Sequence, residues 1–220
     1  MSIAQEQTDR SVVLSPRWRS FFRLLFKRAL DFVGALLLLL LLSPVFLILA
    51  LLVKLTSLGP VLYRWRVVGK GGLPFISYKF RSMVANADEL KAELQERNEM
   101  TGPVFKLTHD PRVTAVGNWM RRYSLDELPQ LYSVVKGDMS LVGPRPPLVT
   151  EYERFTEYQK QKLVVKPGIT CLWQVSGRNQ VRDFDEWVKL DLEYIRNWSL
   201  MLDLKILLRT VCEVFAGSGK

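Results

Sequence analysis

The sequence predicts an α+β fold, mostly helical, organised as a monotopic membrane protein. It has a re-entrant helix-break-helix hairpin, one β-hairpin and a small cytoplasmic domain. Three observations predict this. Residues 32–53 form a 22-residue stretch without a charge, in which seventeen positions are Leu, Ile, Val or Phe. Ser43-Pro44 interrupts that stretch, and basic residues flank it on both sides. Downstream, two β-rich runs enclose a Gly-rich turn, and amphipathic helical patterns follow. The boundaries implied are a tail and basic interfacial helix over 1–31, the membrane insert over 32–53, and a cytoplasmic domain over 54–220.

Composition narrows the field. The chain has 220 residues, 48% hydrophobic and 24% charged, with a mean hydropathy of +0.05. Those values exclude wholesale disorder and a polytopic membrane protein. Cys171 and Cys212 cannot make a disulfide scaffold and read as cytosolic thiols; with a single histidine, they also argue against structural zinc. The net charge of +9 is localised: residues 1–81 hold 12 Lys and Arg against 3 Asp and Glu, and the remainder holds 19 of each. Such a patch suits nucleic acid or an anionic membrane. The uncharged stretch beside it selects the membrane. A nucleic-acid binder would need its cations among exposed aromatics on the polar domain, whereas here they flank the apolar run.

Fully helical, residues 32–53 would reach about 33 Å, the thickness of a bilayer core. Insertion gains on the order of 5–10 kcal/mol before the cost of Ser43 and Pro44. No A-x-A site follows, and the run starts too late for a cleaved signal peptide. Pro44 removes a helical hydrogen bond, and the Ser43 hydroxyl can serve freed backbone groups. Arg17, Arg19, Arg23, Lys27 and Arg28 precede the stretch; Lys54, Arg64, Arg66, Lys70, Lys79 and Arg81 follow it. The positive-inside rule places both flanks in the cytoplasm, which a hairpin bent at Ser43-Pro44 satisfies and a simple span does not; a kinked span is the alternative.

Residues 1–16 read as a loose tail, and 17–31 as a basic interfacial helix. Residues 61–68 and 73–80 pair around Gly69-Lys70-Gly71-Gly72. A charged helix is expected over 86–99, then an irregular segment with a short helix near 117–122, a short helix over 129–135 and a Gly/Pro-rich loop over 136–150. Residues 151–163 read as one helix and 166–182 as a loop. Residues 184–215 read as a helix interrupted near 197–199. Long ordered loops of this kind usually carry function.

Three stretches could carry chemistry. The first, Arg121-Arg122-Tyr123-Ser124-Leu125-Asp126-Glu127-Leu128-Pro129-Gln130, offers adjacent carboxylates that can meet one metal ion or phosphate at a helix start. Ser124-x-x-Glu127 also matches a capping box, which Pro129 weakens. In the second, prolines bracket Arg145 and hold its guanidinium on a stiff loop suited to phosphate. In the third, alternation puts Lys79 and Arg81 on one face of a strand, for substrate or for the membrane. His109 has no evident partner, and no Walker or dinucleotide glycine motif occurs.

Together with Lys27-Arg28-Ala29-Leu30-Asp31, Ser43-Pro44, Lys79-Phe80-Arg81-Ser82-Met83 and Gly137-Asp138-Met139-Ser140-Leu141-Val142-Gly143-Pro144-Arg145-Pro146, these stretches make the chain resemble the bacterial sugar transferases over roughly residues 20–215. These monotopic phosphoglycosyl transferases prime glycoconjugate assembly. The resemblance implies transfer of a sugar 1-phosphate from a UDP-sugar to undecaprenyl phosphate, with release of UMP. It implies Mg²⁺, Asp126 as nucleophile of a covalent phosphosugar intermediate, and Glu127 and Asp126 as metal ligands. Lys79, Arg81, Arg121 and Arg145 would hold phosphates or nucleotide. It also implies the cytoplasmic face of the bacterial inner membrane, with a homodimer allowed but not required. Residues 166–179 resemble the hexose-transferring branch, which loads glucose or galactose phosphate for exopolysaccharide or O-antigen; related members often have Gly in place of Cys171. The chain reads as a short form without preceding membrane helices. The rival reading is a non-catalytic, membrane-tethered adaptor that binds sugar nucleotides.

Overall fold

The computed structural model describes residues 20–177 and 181–219. The tail over 1–16, Arg17 and Arg19 of the basic flank, and Arg178-Asn179 of the last motif lie outside the described residues.

Helix α1 (Phe21–Leu41) and helix α2 (Ser43–Thr56) are bent 62° to one another. Leu42 is the only residue between them. The break is local chemistry. The Ser43 hydroxyl donates to Leu40 O at 2.8 Å, and Pro44 lies in the first turn of α2, where its missing N–H has no helical partner to lose. Helix α1 runs unbroken through Asp31, so the basic segment and the first half of the apolar stretch are one element. No single helix among the described residues is long and apolar enough to cross a membrane; this bent pair passes that test jointly. Ala35 packs with Leu131, Val134 and Met139, and Leu49 and Val53 pack with Phe80 and Met120. Much of the pair's remaining apolar surface is bare: Phe22, Leu41 and Leu55 are 80%, 74% and 74% exposed.

The Lys27–Asp31 motif fastens α1 to the rest of the chain. Arg28 donates to Val134 O and Val135 O, and Asp31 accepts from Ser140 Oγ and Leu141 N. Lys27 pairs with Asp203 Oδ2 at 2.7 Å.

Strands β1 (Leu62–Val68) and β2 (Pro74–Phe80) form the expected antiparallel hairpin, with Trp65 opposite Ser77. Its turn needs glycine, since Gly71 and Gly72 have φ of 70° and 80°. Helix α3 (Ala87–Glu93) is shorter than the charged helix expected over 86–99. The Asn98 side chain bonds Met100 O, Val104 O, Met100 N and Lys106 N, which organises a loop where the helix would continue.

Helix α4 (Ala115–Arg122) and helix α5 (Gln130–Lys136) precede β3 (Ser140–Val142). The predicted helix over 151–163 is instead α6 (Val149–Tyr152), α7 (Glu157–Lys160) and a 3₁₀ turn, Gln161–Val164. The reason is a second start signal: Thr156 and Gln159 make a reciprocal capping box. The two predicted loops are also structured, because β4 (Gly168–Thr170) pairs in parallel with β3. That pairing brings two backbones together tightly; a Cβ on Gly143 would lie 2.5 Å from Lys166 O.

Helix α8 (Phe184–Asn197) and helix α9 (Leu200–Ala216) break where expected, with Ser199 capping α9. Their inner faces, with stacked Trp173 and Trp187, build the main core. The outer face of α9 leaves Leu208, Val211 and Phe215 more than half exposed.

Candidate active site

The acid pair sits at a sharp reversal between α4 and α5. Thr114 caps α4, and Gly117 lets that helix lie directly on Ser82, whose carbonyl would be 1.9 Å from a Cβ there. This contact places Arg121, whose Nε donates to Ser82 Oγ at 2.9 Å. Ser124 then takes φ +54°, the one positive φ outside glycine among the described residues. Its side chain makes no cap, so the capping-box reading does not hold. The reversal launches a 3₁₀ turn, Leu125–Glu127, in which Asp126 and Glu127 are each 7% exposed.

Two cations converge on the second acid. Lys79 Nζ lies 2.6 Å and Arg145 Nη1 3.1 Å from Glu127 Oε1. Trp65 lies beside both, with Lys79 Nζ 3.8 Å from its ring centre and Arg145 Cζ 5.5 Å away. Arg145 reaches there because its loop is tied to the hairpin: Val68 N donates to Pro147 O, and Val67 bridges Leu148. Burial pulls the Lys79 ammonium below its ordinary value, against the attraction of Glu127, and Arg145 pushes it the same way as burial. Asp126 opposes burial as Glu127 does.

These groups line one cavity of about 240 Å³. Lys79, Arg121, Asp126, Glu127 and Arg145 share it, as the sequence reading grouped them. Arg81 does not join them. It lies one residue past the end of β2, and its Nη2 donates to Ser57 O at 2.7 Å and to Ser57 Oγ at 2.8 Å. It closes the end of α2, and strand alternation fails as a guide because the strand has already stopped. Ser43 and Pro44 belong to the helix break and are not part of the cavity lining. His109 is exposed and does not line the cavity.

Phe105, Phe155, Phe184 and Trp187 also line the cavity, as does Lys162, which lies over the Phe184 and Trp187 rings. Lys162 is 1% exposed and pairs with Asp191 at 2.5 Å. The available signal was Asp191 on the apolar stripe of α8, between Val188, Leu192 and Ile195. Glu151 also lines the cavity, and burial holds its carboxyl above the usual range, opposed by the Leu148 N–H and by Arg145. Cys171 is buried outside the cavity lining, its thiol pushed up to about 12 by burial.

Among the described residues, no three His, Cys, Asp or Glu side chains converge as a metal cage. The two carboxylates present fit Mg²⁺ nonetheless, because that ion commonly takes one or two carboxylates and completes its shell with water and substrate phosphates.

An acid pair held among fixed cations thus lines one cavity of a chain that opens with a bent apolar helix pair. The chain belongs to the bacterial sugar transferase family, which it matches over residues 22–217. It is 47% identical over 208 residues to the galactosyl transferase CpsE of Streptococcus agalactiae, covering 94% of this chain and 46% of that protein. It is 46% identical over 198 residues to the undecaprenyl-phosphate galactose phosphotransferase of Salmonella typhimurium, covering 88% and 41%. To the UDP-glucose:undecaprenyl-phosphate glucose-1-phosphate transferase of Escherichia coli it is 43% identical over 202 residues, covering 89% and 41%. The chain thus spans less than half the length of these relatives.

Proposed function

We propose that this protein is a polyprenyl-phosphate phosphoglycosyl transferase. It moves hexose 1-phosphate, galactose or glucose, from a UDP-sugar to undecaprenyl phosphate as the priming step of exopolysaccharide or O-antigen synthesis. The observation that carries this reading is the buried Asp126-Glu127 pair opening into a cavity with Lys79, Arg121 and Arg145. The names of the three relatives above agree with it, and they leave the choice between the two sugars open.

In the first step an Asp126 oxygen attacks the β-phosphorus of the donor. The bond from that phosphorus to the bridging oxygen breaks, and UMP leaves with the electron pair. In the second step an oxygen of undecaprenyl phosphate attacks the same phosphorus. The acyl-phosphate bond breaks, Asp126 regains its carboxylate, and the product is a polyprenyl diphosphate sugar. Asp126 and Glu127 would hold Mg²⁺, whose charge, when bound, would offset the repulsion between carboxylate and pyrophosphate. Lys79 and Arg145 hold Glu127 in place and supply fixed positive charge where negative charge accumulates. Arg121, oriented by Ser82, faces the same space.

Both substrates require a membrane surface for the lipid and the cytoplasm for the nucleotide. The reading therefore includes a re-entrant α1–α2 hairpin in the cytoplasmic leaflet of the bacterial inner membrane. The 62° break at Ser43-Pro44, the bare apolar surface of the pair and the exposed face of α9 support it.

The test is UMP release from a panel of UDP-sugars with Mg²⁺, with and without undecaprenyl phosphate. Lipid-dependent release that disappears in Asp126→Asn names the reaction and the sugar. Binding of UDP-sugar without turnover by folded protein would return the adaptor reading. For the topology, Ser43→Leu with Pro44→Leu straightens the hairpin, and external thiol labelling of an N-terminal cysteine should rise. External labelling in the unmutated protein would overturn the re-entrant arrangement.

A further inference from the structure

A second cavity, of about 220 Å³, lies beside α1 and shares no lining residue with the first. Its wall carries four cations, Lys27 and Arg28 of α1, Lys70 of the hairpin turn and Lys166 before β4, against the single acid Asp31. Two of these five groups are already matched: Lys27 by Asp203, and Asp31 by Ser140 and Leu141. Arg28 uses Nη1 and Nη2 to close the carbonyl end of α5. Lys70 and Lys166 are exposed and make no hydrogen bond or ion pair among the described residues.

The cations converge. Gly137 leaves the space between two of them, since a Cβ there would be 3.3 Å from Arg28 Nη2 and 3.7 Å from Lys166 Nζ. Burial pulls the Lys166 ammonium below its ordinary value, Arg28 and Lys70 push it the same way, and Asp31 and Asp138 oppose them, so all three cations act within one local field. The other wall is apolar. Leu24, Val164 and Val165 line it, and Phe21, one helical turn before Leu24 and 70% exposed, extends it outward along α1.

We propose that this cavity binds the phosphodiester headgroup of an anionic phospholipid, with the phosphate among Arg28, Lys70 and Lys166 and an acyl chain along Leu24 and Phe21. The apolar wall selects a lipid over free phosphate, which has no use for it. The inference rests on the membrane reading above, but not on the transferase chemistry. Its consequence is mechanical: Arg28 and Lys27 belong to the joints that hold α1 on α5 and α9, so an occupied cavity fixes the membrane hairpin against the catalytic domain.

The experiment compares the full chain with Lys70→Gln/Lys166→Gln and with Arg64→Gln/Arg66→Gln, an equal charge loss at exposed hairpin positions outside the cavity. Flotation is measured with phosphatidylcholine vesicles, with and without phosphatidylglycerol, and retained phosphatidylglycerol is counted by native mass spectrometry after detergent extraction. Phosphatidylglycerol retention should fall roughly tenfold in the Lys70/Lys166 variant and less than about threefold in the Arg64/Arg66 variant. Equal losses, or no loss in either, would overturn the site. Displacement of the lipid from unmutated protein by inorganic phosphate would make this a free-phosphate site and overturn the lipid assignment. If the unmutated protein floats with neither vesicle, the membrane reading itself fails, and UMP release remains a separate measurement.

Discussion

Two buried clusters in this protein use the same residue types for opposite ends. At the foot of α1, Lys27 meets Asp203 Oδ2 at 2.7 Å, Trp198 Nε1 donates to the same oxygen at 3.1 Å, and the Tyr194 hydroxyl donates to Asp203 Oδ1 at 2.7 Å. Lys27 also donates to Val142 O at 3.2 Å, and the Tyr194 hydroxyl oxygen lies 3.1 Å from that carbonyl. One cation and one anion cancel, and neutral donors and acceptors complete the set. In the candidate active site, two cations crowd a single Glu127 oxygen, with Arg121 and Asp126 on the same cavity. The first cluster is neutral and internally satisfied. The second keeps excess positive charge facing a space large enough for a ligand. Burial alone does not mark a functional site; a cluster of unlike charges that opens on a cavity is the better marker.

The predictions probe that difference. Asp126→Asn keeps the side chain's shape and removes the attacking oxygen, so UMP release should fall by about 10³-fold or more while the melting temperature stays within a few degrees. A variant that retains turnover would remove the nucleophile from the proposed mechanism. Asp203→Ala should do the reverse in kind, since leaving Lys27 buried and uncompensated costs roughly 3–5 kcal/mol, read from denaturant unfolding. Combining it with Lys27→Met should recover part of that loss, because both charges then go. Lys79→Gln should lower kcat by about 10²-fold with little change in stability, as expected for one lost electrostatic contact in a preorganised site. A large loss of stability instead would move Lys79 into the structural class with Lys27.

The smallest effect concerns the cysteines. The Cys171 thiol is pushed up to about 12 by burial, so it stays protonated at pH 8, with roughly one part in ten thousand as thiolate. Cys212 is exposed. Native protein should therefore react with a thiol reagent at one site and unfolded protein at both, without loss of turnover in the native reaction. Rapid native labelling of Cys171 would contradict its burial.

The limits of legibility follow interaction range. The helix break was readable because Ser43 and Pro44 act on their own turn, and the β-hairpin because Gly71 and Gly72 meet a local demand for positive φ. Asp126, Glu127, Lys79, Arg121 and Arg145 were picked out by residue type, stiff context and a family motif, and all line one cavity. Arg81 was misplaced because a two-residue alternation says nothing about where the strand stops. The Thr156 capping box is local too, but it lies inside a longer helical pattern that masks it.

By itself the sequence determined the apolar stretch, the break between α1 and α2, the β-hairpin and the chemical inventory of the site, since each rests on contacts within a few residues. Tertiary structure decided which acid each cation meets. Lys27 to Asp203 spans 176 positions and Lys79 to Glu127 spans 48, and Ser140 pairs with Gly168 across two stretches that look like loops. A charged side chain has no fixed partner in a linear chain. It acquires one when packing excludes water and makes an unmatched charge too costly to keep.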